Sequence, residues 1–143
     1  MIIDRFEGEY NFLSNFYKSP ITIEGITYPT VEHFYQAQKT HDTQIKQTIA
    51  NLRFPGQAKK YGRKIPLRED WDEIKLDIML WGLTEKFNEP ELESLLLKTG
   101  NATLIEGNNW GDTYWGQCNG NGLNMLGKLL MEVRDQIKNG KNI

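Results

Sequence analysis

Glu32, Gln36 and Lys39 are separated by four and three residues, the spacing that lines side chains along one face of a helix. A carboxylate held in a partly apolar, aromatic-lined cleft keeps its proton to higher pH and can exchange it with a glycosidic bond under cleavage. A desolvated lysine sheds its proton more readily. Its amine can then attack an electrophilic sugar carbon or form an imine, which an arginine cannot do. The same spacing also describes a solvated face with a Glu-to-Lys ladder, so the pattern leaves both readings open.

Two further clusters could recognise a polar ligand. Between Asn108 and Gly127 lie five asparagines and five glycines, together with Trp110, Asp112, Tyr114 and Trp115. Glycines let backbone donors approach a phosphate or sugar, asparagines offer paired polar groups, and tryptophans offer stacking surfaces for a base. An ordered surface loop with glycine turns is the plainer account. Arg53, Lys59, Lys60, Arg63, Lys64 and Arg68 place six positive charges in 16 residues beside Gly56 and Gly62. That segment reads either as an exposed charged face or as a local anion site in which Arg53 or Arg63 meets phosphate oxygens.

The remaining reactive residues point elsewhere. His33 and His41 read as packed or helix-terminal imidazoles, because no nucleophile or carboxylate partner stands at defined spacing. Cys118 is the only cysteine, which excludes an internal disulfide and a thiolate-rich zinc cluster, and no base for a thiol nucleophile is identifiable. No resident metal or cofactor is expected, although magnesium could accompany a phosphate-bearing substrate.

These residues must be positioned by a chain of 143 residues with 17 Lys and Arg against 19 Asp and Glu, a net charge of -2. That balance excludes a global basic field, so any polyanion must be met locally. With 38% hydrophobic residues the chain can bury a core without staples, and one domain over residues 1–143 is expected. The start of the sequence lacks the pattern of a signal peptide, and no stretch approaches ~18 to 20 apolar residues, so a cytoplasmic protein with no membrane partner is expected.

The first 28 residues read as irregular and aromatic, except that Ile21, Ile23, Ile26 and Tyr28 flank Glu24-Gly25 as a small hairpin. Thr30 is a candidate cap for a helix over Val31 to Lys39, and Asp42 or Thr43 can start a second one carrying Ile45, Ile49 and Leu52. Pro55 and Gly62 bracket a third. Asp70 and Glu73 form a capping-box-like start for a fourth helix ending near Phe87, with Trp71, Ile74, Ile78 and Trp81 as core. Asn88 and Glu91 repeat that signal around Pro90 to open a fifth, which Gly100 stops. A short strand over Ala102 to Glu106 and a last helix over Leu123 to Ile137, with Leu126 and Leu130 inside, complete a predominantly helical α+β domain with a small N-terminal β element.

Several ordered segments together resemble the NADAR/YbiA-like N-glycosidase family, from about Phe6 to about Arg134. They are Asn11 to Phe16, Tyr28 to Lys39, Arg68 to Trp71, Lys86-Phe87, Trp115-Gly116, Gly122 to Gly127 and Met131 to Arg134. The resemblance implies hydrolysis of N-glycosidic bonds in phosphorylated ribosides. Its members act on ADP-ribose attached to guanine in nucleic acid, or on phosphoribosylamino-pyrimidine intermediates of riboflavin synthesis. Glu32 matches the family's essential glutamate, and Lys39 a lysine proposed to form a transient imine with the opened ribose. Phe12, Ser14 and Asn15 resemble nucleotide-enclosing residues, and Trp71, Trp110, Asp112, Trp115 and Asn124 match other pocket positions. The implied partners are ADP-ribosylated nucleic acid or a small phosphorylated riboside, with a DNA-modifying toxin as a further partner class. A non-catalytic module that binds ADP-ribose or a nucleotide is the alternative of a different kind.

Overall fold

A computed structural model describes residues 1–140 of the chain. In chain order the elements are β1 (Ile2–Ile3), a 3-10 helix (Gly8–Leu13), β2 (Ile21–Ile23), β3 (Ile26–Tyr28), α1 (Val31–Ala37), α2 (Thr43–Ala50), α3 (Pro55–Gly62), α4 (Trp71–Lys86), α5 (Pro90–Lys98), β4 (Thr103–Leu104), β5 (Gly107–Asn108), β6 (Gln117–Cys118) and α6 (Met125–Lys138). The fold is mixed α+β and mainly helical, and among the described residues the strands form three two-stranded sheets. The chain divides into two units, one of residues 15–86 and one of residues 1–14 with 87–143.

In the contiguous unit, β2 and β3 pair as an antiparallel hairpin. Its turn needs two left-handed residues, which Glu24 (φ 52°) and Gly25 (φ 84°) supply. The chain then enters α1, whose first turn is capped by Thr30 accepting from the His33 N–H. Every residue of α1 is buried. α2, α3 and α4 all pack against it. Phe34 sits edge-on to Tyr28 and Trp81 and lies where a Cβ on Gly82 would intrude, so α4 approaches α1 closely only because that position lacks a side chain.

His33 is held at both ring nitrogens. Nε2 lies 2.9 Å from the Leu52 carbonyl and Nδ1 lies 2.8 Å from Thr30 Oγ1. A carbonyl only accepts, so Nε2 carries the proton and Nδ1 accepts from the hydroxyl. Burial lowers the pKa of this imidazole, opposed by its bond to Leu52. His33 is therefore a strut joining the start of α1 to the chain after α2.

The second unit pairs β1 with β4 in parallel, and β5 with β6 in parallel. Leu126, Leu130 and Val133 form the buried stripe of α6. Beside them the Arg134 guanidinium donates to Thr99 Oγ1 and to the Ala102 carbonyl, both at 2.8 Å, closing the end of α5. Asn124 precedes α6 in a left-handed conformation, with Oδ1 accepting from the Glu106 N–H and Nδ2 donating to the Leu104 carbonyl.

Several boundaries depart from the sequence reading. α1 ends at Ala37, because the Lys39 and Thr40 N–H groups turn back to carbonyls three residues earlier, on Gln36 and Ala37, and the Lys39 carbonyl accepts from the Arg68 N–H. Lys39 thus lies in the turn after the helix, with its Nζ still beside the Tyr35 ring one turn back. Asp70 pairs with Arg68 at 2.6 Å instead of capping α4, and Glu89 rather than Asn88 caps α5 by accepting from Glu91 and Leu92. Trp81 is 38% exposed, so the buried stripe of α4 runs instead through Trp71, Ile78, Met79, Gly82, Leu83 and Lys86.

Candidate active site

The first helix presents its chemistry on a short, fully packed turn. Glu32 is 8% exposed and Gln36 is buried one turn later, with Gln36 Nε2 donating to Glu32 Oε2 at 2.7 Å. The amide fixes the carboxylate's orientation. Gln36 Oε1 has no hydrogen-bond partner among the described residues and fills the space over Gly62 on α3. At the other end of Glu32, its backbone N–H donates to the Asn15 carbonyl at 3.1 Å. Asn15 is itself buried, with Nδ2 against the sulfur of Met79 and Oδ1 unpartnered among the described residues.

Lys39 follows in the turn after α1. Its Nζ lies 5.8 Å from the centre of the Tyr35 ring, and that ring packs against Trp71 at 5.1 Å. Burial lowers the Lys39 pKa, the Glu32 charge opposes this, and the Arg63 charge adds to the lowering. An amine so placed holds a larger neutral fraction than a solvated lysine. The turn is fixed by Arg68, whose N–H donates to the Lys39 carbonyl and whose guanidinium grips Asp70 through two bonds.

Unit 15–86 therefore brings together Asn15, Glu32, Gln36, Lys39 and Trp71, with Arg63 in electrostatic reach. Arg53 is exposed at the other end of α3, its guanidinium 5.2 Å from the Phe54 ring. The remaining candidates belong to the other unit. There Phe12 is buried edge-on to Phe87, and Ser14 is half-buried after the 3-10 helix. Asn108 organises the glycine-rich loop: Oδ1 accepts from the N–H groups of Trp110 and Asp112, and Nδ2 donates to the Asp112 carbonyl. Asp112 Oδ1 then accepts from the N–H groups of Tyr114 and Trp115. Trp115 meets Tyr114 edge-on, Trp110 stands 63% exposed, and both ends of the Asn124 amide are engaged by backbone.

Two residues escaped the role assignments made from sequence. Tyr35 connects Lys39 to Trp71, and its i,i+4 relation to Lys39 is the signal in the sequence. Lys86 is completely buried at the end of α4 with Nζ 5.6 Å from the Tyr17 ring centre, and burial drives its pKa down to about 7. A lysine inside an otherwise apolar stripe, adjoining Phe87, was the available signal. Among the described residues no group of histidine, cysteine and carboxylate side chains could hold a metal, and no helix is long and apolar enough to cross a membrane.

The sequence matches the NADAR domain family over residues 3–138. It is 42% identical over 133 residues to the N-glycosidase YbiA of Shigella boydii, covering 90% of this chain and 82% of that protein. It is 37% identical over 137 residues to the riboflavin biosynthesis protein VVA0006 of Vibrio vulnificus, covering 92% of this chain and 37% of that longer protein. Among solved structures, the NMR structure of the Escherichia coli protein YbiA superposes with a TM-score of 0.86 at 39% identity, covering 99% of this chain and 86% of that one.

Proposed function

Because the chain belongs to the NADAR domain family and is by that relationship a hydrolase of N-glycosidic bonds, we propose that it removes ADP-ribose from guanine bases in nucleic acid. The observation that supports catalysis rather than binding alone is the buried Glu32 carboxylate oriented by Gln36, with a half-buried lysine amine in the following turn. A binding module has no need to bury an acid in a fixed orientation or to desolvate a neighbouring amine.

Cleavage leaves electron deficiency on ribose C1 and negative charge on the departing nitrogen. Glu32 gives a proton as the C1–N bond weakens and takes one back from water afterwards. If the ribose opens first, the neutral Lys39 amine adds to C1 and the base departs carrying the transferred proton, leaving an imine. Water then adds to C1 and the C–N bond to Lys39 breaks, which returns the amine and frees the sugar. If the ribose stays closed, Glu32 activates water for direct displacement, and Lys39 stabilises charge instead.

The similarity to a riboflavin biosynthesis protein of Vibrio vulnificus favours a second reading, a small phosphoribosylamino-pyrimidine as substrate. Both substrates are phosphorylated ribosides joined through an N-glycosidic bond at ribose C1, so the same residues would serve either. The test assays ADP-ribosyl-guanine in single-stranded and duplex DNA, the free modified nucleoside and the riboflavin intermediates side by side. Turnover confined to the riboflavin intermediates overturns the first reading. Glu32→Gln is expected to lose turnover far more than ligand binding, with thermal unfolding as the check on folding; equal activity in the two proteins removes Glu32 from the chemistry.

A further inference from the structure

The net charge of -2 conceals a sharp segregation. Between Thr43 and Arg68 the chain has seven lysines and arginines and no aspartate or glutamate, whereas the rest has ten against nineteen. Two of the seven are engaged, Lys46 with Gln38 and Arg68 with Asp70. Arg53, Lys59, Lys60, Arg63 and Lys64 have no ion-pair partner among the described residues.

Their placement follows from how α3 packs. Ala58 and Gly62 are buried toward α1, while Gly56, Gln57 and Lys60 are exposed and Arg63 and Lys64 continue outward in the closing turn. At the head of the helix Phe54 is 54% exposed, an aromatic ring beside the Arg53 guanidinium. At the tail, Arg63 lies near enough to Lys39 for its charge to be felt there. The surface thus runs from an open aromatic ring, past unpaired cations, to the edge of the Glu32–Lys39 cluster. At 1.5 Å per residue α3 and its flanks extend about 16 Å, enough for several phosphates in a row rather than one.

We infer that this face of α3, from Arg53 and Phe54 to Lys64, is a docking surface for single-stranded nucleic acid. Phosphates lie along Lys60, Arg63 and Lys64, and an unstacked base rests on Phe54. A duplex keeps its base faces covered and cannot use the ring. A lipid surface asks for an apolar stripe on the helix, and the outward residues of α3 are glycine, glutamine and lysine. The inference deepens the substrate reading given above, since it supplies the place where the strand flanking a modified guanine is held. Local charge of this kind also steers an anionic strand toward the site despite the chain's overall acidity.

The test uses the full chain and an unmodified oligothymidine strand labelled for fluorescence anisotropy. Lys60→Gln/Lys64→Gln should weaken strand binding about tenfold at low salt and flatten the log–log salt dependence by about 0.7 for each lysine removed. Phe54→Ala should weaken binding several-fold and leave the salt slope unchanged. Melting temperatures within a degree or two of the parent confirm that both variants fold. On a strand bearing ADP-ribosyl-guanine, the double-lysine variant should lose more turnover than on the free modified nucleoside. Unchanged strand affinity in both variants overturns the inference, as does tighter binding of the parent to phosphatidylserine vesicles or to duplex than to the strand. If neither modified substrate is cleaved while strand binding keeps its dependence on Lys60, Lys64 and Phe54, the surface stands and the substrate reading falls.

Discussion

Gln36 occupies the space that a methyl group on Gly62 would require, so a side chain at residue 62 would force the Gln36 amide to move. The same Gln36 side chain holds Glu32. Gly62→Ala should therefore destabilise the protein by about 1 to 3 kcal/mol through overpacking, measured by urea unfolding. Adding Gln36→Ala should restore part of that loss, a coupling of the two sites. Strictly additive losses would mean that they do not compete for one space.

Gln36→Leu keeps most of the volume but removes the donor to Glu32. A misoriented acid costs about 10- to 100-fold in turnover. Stability should fall by about 1 to 3 kcal/mol as the buried Glu32 carboxylate loses this donor, a loss offset in part because the substitution also deletes an oxygen that is buried without a partner among the described residues. Single-turnover cleavage and melting temperature are the two measurements. Full activity in this variant would rule out the orienting role.

The ionisation of Lys39 is poised between two neighbours of opposite effect. Glu32→Gln removes the charge that raises its pKa and should move the titration to lower pH, whereas Arg63→Gln should move it to higher pH. NMR of the isotopically labelled amine reads both directions. Borohydride added during turnover should trap a sugar adduct on Lys39, seen by intact mass and absent in Lys39→Arg. Its absence from active parent enzyme, with trapping controls succeeding, counts against the imine route.

Lys86 makes stability depend on pH in a defined window. In the unfolded chain its amine titrates near the ordinary lysine value of about 10.4, while in the fold it titrates at about 7. Between these values the unfolded state binds more protons, so this residue's contribution to stability rises with pH. Below about pH 7 the lysine is charged in both states and its full burial cost applies. Relative to Lys86→Met, the parent should thus gain stability from pH 7 to pH 10, by comparison of urea midpoints. A constant difference would show that the amine is not held neutral.

The elements written in local sequence were legible. Glu24-Gly25 announced a hairpin turn, Thr30 announced its helix cap, Asp42 was one of two candidates for the next, and Pro55 and Gly62 mark the ends of α3. Misreadings arose where a side chain had a stronger partner nearby. Asp70 looked like a cap but its carboxylate is taken by a guanidinium two residues away, and Lys39 looked helical until the Arg68 N–H captured its carbonyl. The pairing of Ile2 with Thr103 was beyond any local pattern, because nothing in a two-residue strand names a partner about a hundred residues distant. At the site, Glu32 and Lys39 were legible as chemistry, whereas the role of Gln36 as the brace of Glu32 required the packing around Gly62 to be known.

The interrupted make-up of one unit has a consequence for how the protein is born. Residues 15–86 form a continuous run and can gather around α1 as soon as α4 has left the ribosome. Met1 to Ser14 must wait, because β1 has no ladder until β4 is synthesised, and β4 is tied down only when Asn124 arrives to clasp Leu104. Synthesis thus delivers the segment carrying Glu32 and Lys39 well before the asparagine-rich loop. During that interval the Ile2–Ile3 edge has no strand partner.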